Sequence, residues 1–399
     1  MGISQLIWLL LIGYIVFSID KKQENFPVPT ILVGIGVGLA FLPIFDQINV
    51  SDKMIYEYML PPLLFISAYQ FPIAAFRKNA KTIIFLATIG LITTVAILGG
   101  FVYLSSFLFT PISFLAALVL ASMLTPTDPV SVVSIMKKSS GNEKQAHIVE
   151  GESMLNDGTS IVIFSVLAGM LTNQETFSVL SFFGEFFYVS LGGILVGILL
   201  GFITSKIVHY SHNREYQVML SVIVAYGSFM LAEHFHVSGV LATVSVGLML
   251  SFEHGRAIKE DHFRDSLDGF WGIIELSILG LLFLLIGIEA KDYLFFNGWL
   301  FAFLIFAFTI IIRFAIILGT MHTFSHASAK SSWKESGILT WAGLKGSMSI
   351  FLILSLQVKE NGNEEISWII SVAFVVVLLS LFLQSLTLSP LSKSLFRNK

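Results

Sequence analysis

Long apolar runs separated by short polar breaks recur from one end of the chain to the other. Runs of about 17 or more residues lie near 3–19, 27–45, 55–76, 82–109, 112–136 and 146–171. They continue near 179–207, 217–234, 237–252, 270–289, 297–320, 333–357 and 366–388. A helix rises 1.5 Å per residue and the bilayer core is about 30 Å thick, so runs of this length read as spans. The pattern predicts an all-α polytopic membrane protein with about 13 transmembrane helices.

Composition removes the soluble alternatives. Of 399 residues, 55% are hydrophobic before the 31 glycines are counted, and 12% are charged. Soluble domains average about 45–50% apolar with glycine included and about 25% charged. The spans leave tails and connections of only about ten residues each, so no large catalytic domain and no soluble regulatory tail fits. A net charge of −3 points to no nucleic-acid partner, and the absence of cysteine excludes disulfides and thiolate metal sites. The first apolar run has no basic residue before it and no small-residue cleavage site, so it reads as a retained span.

Charge in the connections sets the orientation. With 13 spans, one side holds Lys53, Lys291 and Lys359, and the other holds 18 basic residues, among them Lys21, Arg77, Lys137, Lys206, Arg264 and Lys330. Cytoplasmic loops carry the excess of Lys and Arg, which places the N-terminus outside and the C-terminus in the cytoplasm. Six ionisable residues remain deep inside spans: Asp128, Glu152, Asp157, Glu275, Arg313 and Lys345. Each costs roughly 2.5 to 3.5 kcal/mol on the insertion scale unless it pairs, binds something or lines water.

A weak internal symmetry bears on where they meet. Pro62-Leu63-Leu64-Phe65 recurs as Gly280-Leu281-Leu282-Phe283, and Asp128 and Lys345 are separated by nearly the same offset. The expected division is therefore one membrane domain of inverted repeats over about 1–171 and 217–388, joined by a linker helix near 179–207.

Both candidate repeats contain a broken span. Pro126 and Pro129 flank Thr127 and Asp128 in the fifth, and Gly343 and Gly346 flank Lys345 in the twelfth. Each proline removes an amide hydrogen and clashes with the preceding turn, leaving either a plain kink or unwound backbone whose carbonyls suit a hard cation. Unwound backbone at membrane depth is tolerated only when buried in protein or lining a wet cavity. In the sixth span, Ser153 and Asp157 share one helical face while Glu152 and Asn156 share the next. Glu152 and Lys345 are the natural opposite-charge partners, and Glu275 with Arg313 reads as a second, structural pair. Gly193, Gly197 and Gly201 form a ladder that permits close helix packing, within the subunit or between copies.

At these residues the sequence resembles the NhaP/NHE branch of the cation/proton antiporter superfamily. The matching motifs are Thr127-Asp128-Pro129-Val130, Glu150-Gly151-Glu152-Ser153 running into Asn156-Asp157-Gly158, and Ser238-Gly239-Val240-Leu241-Ala242. Phe283-Leu284-Leu285-Ile286-Gly287-Ile288-Glu289 and Gly343-Leu344-Lys345-Gly346 extend the match along the whole membrane region. The resemblance implies an NhaA-like fold with two broken crossing helices, a core domain, a dimerisation domain and a homodimer. It implies that Asp157 binds the ion, with Asp128, Ser153 and the Thr127 backbone assisting and Asn156 supporting. It also implies that Glu152 pairs with the basic residue of the twelfth span, and that an Asn-Asp pair marks electroneutral exchange. Two departures stand out: Lys345 occupies the family's usual Arg position, and Ile66 and Ser67 follow Phe65 where a glutamate is often found.

The expected activity is secondary Na⁺ (or Li⁺)/H⁺ antiport, with one carboxylate holding either ion in turn, Na⁺ at Asp157, Asp128, Ser153 and Thr127, and no cofactor. K⁺/H⁺ exchange uses the same scaffold. A cation channel and an intramembrane aspartyl protease are rivals from other classes, although Leu155-Asn156-Asp157-Gly158 lacks the glycine pattern expected around a protease aspartate.

Overall fold

A computed structural model describes residues 2–23, 28–45, 53–128, 143–173, 177–208, 213–257, 261–293, 297–324, 329–358 and 362–396. Among them the secondary structure is helical apart from one isolated β-bridge. The helices are α1 (Ile3–Gln23), α2 (Val28–Leu39), α3 (Leu60–Gln70), α4 (Ile73–Phe85), α5 (Leu91–Ser106) and α6 (Phe114–Met123). They continue as α7 (Glu143–Thr172), α8 (Val179–Val208), α9 (Arg214–His234), α10 (Gly239–Ala257), α11 (Asp261–Ala290) and α12 (Trp299–Phe324). Last come α13 (Ala329–Trp341), α14 (Ser347–Gln357), α15 (Glu364–Leu379) and α16 (Ser385–Phe396).

Among the described residues, eight helices are long and apolar enough to cross a bilayer, and four shorter apolar helices accompany them. The chain is a multi-span membrane protein. The expectation of about 13 spans additionally reads as crossings the short α2, the segment of Met54–Met59 with α3, the two broken elements and α10.

One boundary moves. The sequence places a connection at Arg77–Lys81, but the break falls at Phe71 and Pro72, and α4 begins at Ile73. Proline cannot extend α3 because its ring clashes with the preceding turn, whereas its fixed φ suits the start of a helix. The basic residues then ride on α4, where long stems reach along apolar surface. Arg77 lies over the Phe252 ring at 4.6 Å.

Glycine sets the closest helix crossings. The Gly193, Gly197 and Gly201 ladder of α8 faces α10: a Cβ at Gly193 would lie 3.1 Å from Ser238 Cβ, and one at Gly197 2.6 Å from Ser245 Cβ. The ladder is thus used within the subunit. Gly36 of α2 and Gly287 of α11 meet the same way, with a Cβ on Gly36 2.8 Å from Gly287 Cα. In a bilayer, where apolar burial alone does not drive helices together, this approach of small residues supplies the packing contact.

Among the described residues three segments are π-helical: Met54–Met59, which leads into α3, Leu86–Gly90 between α4 and α5, and Ser380–Gln384 between α15 and α16. A π turn loosens the backbone ladder and often marks a functional site. Neighbouring side chains take backbone carbonyls at two of them. Thr159 donates to Ala87 O at 2.6 Å, and Thr30 donates to Leu381 O at 2.9 Å.

Candidate functional site

The two broken elements cross at their breaks. α6 stops at Met123, and the chain runs non-helically through Thr125–Asp128. Residues 129–142, including Pro129 and Val130, lie outside the described residues. α13 stops at Trp341, and α14 resumes at Ser347. In the gap, Asp128 N–H donates to Leu344 C=O at 2.8 Å, the antiparallel bridge that ties one break to the other. The unwound backbone is buried in protein, as membrane depth requires. Thr125 and Thr127 are 5% and 1% exposed.

Side chains hold the loose ends. Thr125 donates to Ser122 O at 2.8 Å at the end of α6, and Gln384 Nε2 donates to Trp341 O at 3.1 Å at the end of α13. Lys345 N–H donates to Ser380 Oγ at 2.8 Å, and that hydroxyl is in turn bonded to Gln384. The π segment at Ser380–Gln384 is therefore a clamp on the second break.

α7 supplies the facing residues. Asn156 Nδ2 donates to Thr127 Oγ1 at 3.0 Å and to Glu152 Oε1 at 3.1 Å, so one amide links the first break to the buried glutamate. The Thr127 and Ser153 hydroxyls are 3.1 Å apart. Ser347 donates a long 3.5 Å bond to Asp128 Oδ2. Asp157 is one helical turn beyond Ser153, and its Oδ1 is buried without any hydrogen-bond partner. Asp128 and Glu152 lie within its electrostatic reach. A buried polar atom left bare is costly unless something else satisfies it. Thr127, Ser153 and Asn156 are thus joined by hydrogen bonds, with Asp128 and Asp157 close enough to interact electrostatically.

The ion pairs differ from expectation. Glu152 pairs with Arg313 of α12, not with Lys345: Nη1 donates to Oε1 at 3.1 Å and Nη2 to Oε2 at 2.8 Å. The physical reason is shape, because a guanidinium fork matches both carboxylate oxygens and an ammonium meets only one. That preference was the available sequence signal, and depth along the spans misled. Glu275 accordingly is not the partner of Arg313, and Arg313 belongs to the site's support. Lys345, 4% exposed, shares with Arg313, Glu152 and Asn156 a cavity of about 30 Å³. That volume admits water-sized occupants.

The glycines beside Lys345 serve those charges. A Cβ on Gly343 would collide with the Arg313 guanidinium, 2.7 Å from Cζ. One on Gly346 would sit 2.5 Å from Asp128 Oδ2. Each glycine clears room for one partly buried ionisable side chain.

A polytopic helical scaffold with a buried carboxylate beside two crossed breaks defines the membrane transporter class. Within that class, residues 7–394 match the family described as sodium/hydrogen exchanger, transmembrane, and the chain belongs to it. That family is one of exchangers, not enzymes. The chain is 30% identical to the Na⁺/H⁺ antiporter NhaH of Halobacillus aidingensis, over 98% of this chain and 97% of that protein. It is 34% identical to the Na⁺/H⁺ antiporter ApNhaP of Aphanothece halophytica, over 95% of this chain and 71% of that one. The fold matches the sodium proton antiporter MjNhaP1 of Methanocaldococcus jannaschii at pH 8, with TM-score 0.81 and 22% identity over 99% of this chain and 98% of the other.

Proposed function

We propose that this chain exchanges Na⁺, or Li⁺, for H⁺ through a single site centred on Asp157. The observation that carries the reading is the bare, buried Asp157 carboxylate oxygen, one helical turn from the Ser153 that meets Thr127 and within electrostatic reach of Asp128 at the crossed breaks. A hard cation takes oxygen ligands, and these residues offer carboxylate, hydroxyl and unwound carbonyl oxygens. Asp157 and Asp128 supply charge, Ser153 and Thr127 supply neutral oxygens, and Asn156 holds Thr127 in place.

One carboxylate serves both ions because a proton and a cation compete for the same oxygens. Loaded with either, Asp157 is neutral and can pass the apolar barrier between the two sides. Empty, it is a bare charge in low dielectric, and that penalty couples one flux to the other. Asn156 adds no charge of its own, so one cation for one proton is the electroneutral arithmetic. No cofactor is needed. Glu152 and Arg313 neutralise each other and brace α7 against α12.

The surrounding assignments follow the same reading. The N-terminus lies outside and the C-terminus in the cytoplasm, on the asymmetry of 18 basic residues against three. The membrane domain divides into inverted repeats at about 1–171 and 217–388, with α8 as the linker, supported by a crossed break in each half. Two copies pair as a homodimer, on the resemblance to the NhaP/NHE branch. Purified protein in proteoliposomes tests the transport claim: Na⁺ added to vesicles with an imposed pH gradient dissipates it. A response to K⁺ and none to Na⁺ would assign K⁺/H⁺ exchange instead. Cation current without proton movement would assign a channel.

A further inference from the structure

Away from the ion site, α5, α6, α7 and the start of α8 enclose a cavity of about 230 Å³. Its lining is entirely aliphatic and aromatic. Val95, Leu118, Ile163, Leu167 and Phe182 form a buried inner wall. The mouth is open: Phe114 is 40% exposed and Val179 59%, and they continue into the exposed apolar surface at Leu180 and Phe187.

The pocket is open on one side, so it is filled by whatever its mouth faces. Water does not fill it, because a buried water needs two to four polar partners and the wall offers none. A smaller apolar cavity, on the order of 150 Å³, stays dry and takes up benzene. The occupant must be apolar and abundant where the mouth opens. For a multi-span membrane protein that is the hydrocarbon of the bilayer.

We propose that one acyl chain of a membrane phospholipid enters this cavity and seats between the helices that carry the ion site and α8. The position has a consequence for transport. α7 carries Asp157 and also contributes Ile163 and Leu167 to the wall, while α8 contributes Phe182. Any shift of α7 against α8 reshapes the cavity, so the seated chain sets how readily that shift occurs. This effect on rate rests on the exchange reading, whereas the binding does not.

The test uses the full-length chain in phosphatidylcholine vesicles containing a small fraction of phosphatidylcholine with a diazirine near the acyl terminus. After photolysis, adducts are mapped by peptide mass spectrometry. Labelling is expected to concentrate on residues 92–96 and 177–183, at least fivefold above the exposed α1 face at Ile7 and Trp8. Two variants reduce it at least fivefold: Leu167→Phe, which fills the depth, and Ala96→Phe, which plugs the exposed mouth without disturbing the buried wall. The unmodified chain is expected to exchange at a rate that depends on acyl-chain length, and both variants to lose that dependence. Labelling no stronger than on α1, or unchanged in Ala96→Phe, overturns the proposal. Labelling that an equal concentration of a single-chain detergent, below the level that dissolves the vesicles, displaces completely marks an adventitious additive only, and overturns it too. If the vesicles exchange no Na⁺ for H⁺, the transport reading fails, and the adduct map still decides the lipid site.

Discussion

Arg313 clamps Glu152 with both arms of its guanidinium, and its position explains a glycine in the next broken element along the chain. Gly343 must lack a side chain because Arg313 fills the space a Cβ would take. Removing one partner of a buried pair costs roughly 3 to 5 kcal/mol, since it strands the other charge. Glu152→Gln and Arg313→Gln should each lower thermal stability, and together cost clearly less than their sum. A parallel cycle of Glu152→Gln with Lys345→Gln should show a clearly smaller coupling than the Glu152–Arg313 cycle, because Lys345 lines the same cavity without forming the ion pair. Strong coupling of Glu152 with Lys345 in thermal-shift measurements would reverse the assignment. Gly343→Ala should behave as a mild version of the Arg313 loss, at about 1 to 3 kcal/mol for overpacking.

Helix contacts show which parts of the motifs are scaffold. Ser238 accepts from Leu241 N–H at 3.1 Å and starts α10, while Gly239 N–H donates to Glu233 at 2.9 Å. The same turn receives the α8 glycine ladder, so Ser238-Gly239-Val240-Leu241-Ala242 is a packing joint and not an ion ligand set. Gly197→Val should lower the melting temperature by several degrees through overpacking, whereas Gly227→Val, facing open space, should not. Equal melting curves for the two would remove the joint from the account. The breaks were legible in the sequence because proline and paired glycine interrupt apolar runs. The 71–72 boundary was not, because three basic residues on a helix surface look like a loop when only polarity is read. The π clamps were also illegible, since nothing in Ser380–Gln384 differs from an ordinary helical turn until Lys345 and Trp341 are placed beside it.

At the scale of the molecule, charge tells scaffold from site. Periodicity and the family motifs put Asp157, Asp128, Ser153, Thr127 and Asn156 in one candidate site, and the Asn156–Thr127 and Thr127–Ser153 contacts are the part of it that the side-chain bonds display. The choice of Arg313 over Lys345 needed three-dimensional placement, because two cations at similar depth compete for one carboxylate and only shape decides. Competition at a single carboxylate makes a directional prediction. As cytoplasmic pH falls, protons displace Na⁺, so the half-saturating Na⁺ concentration should rise by about tenfold per pH unit once protonation dominates, with maximal rate at saturating Na⁺ unchanged. A half-saturation constant independent of pH would mean that the two ions use separate sites.

Asp157 is the residue on which the exchange cycle turns, and Asp157→Asn keeps its size while removing its charge. In proteoliposomes carrying an imposed pH gradient, Na⁺ should dissipate the gradient with the unmodified chain and leave it intact with Asp157→Asn, both proteins being equally folded by thermal shift. Full Na⁺-driven dissipation by Asp157→Asn would contradict the account.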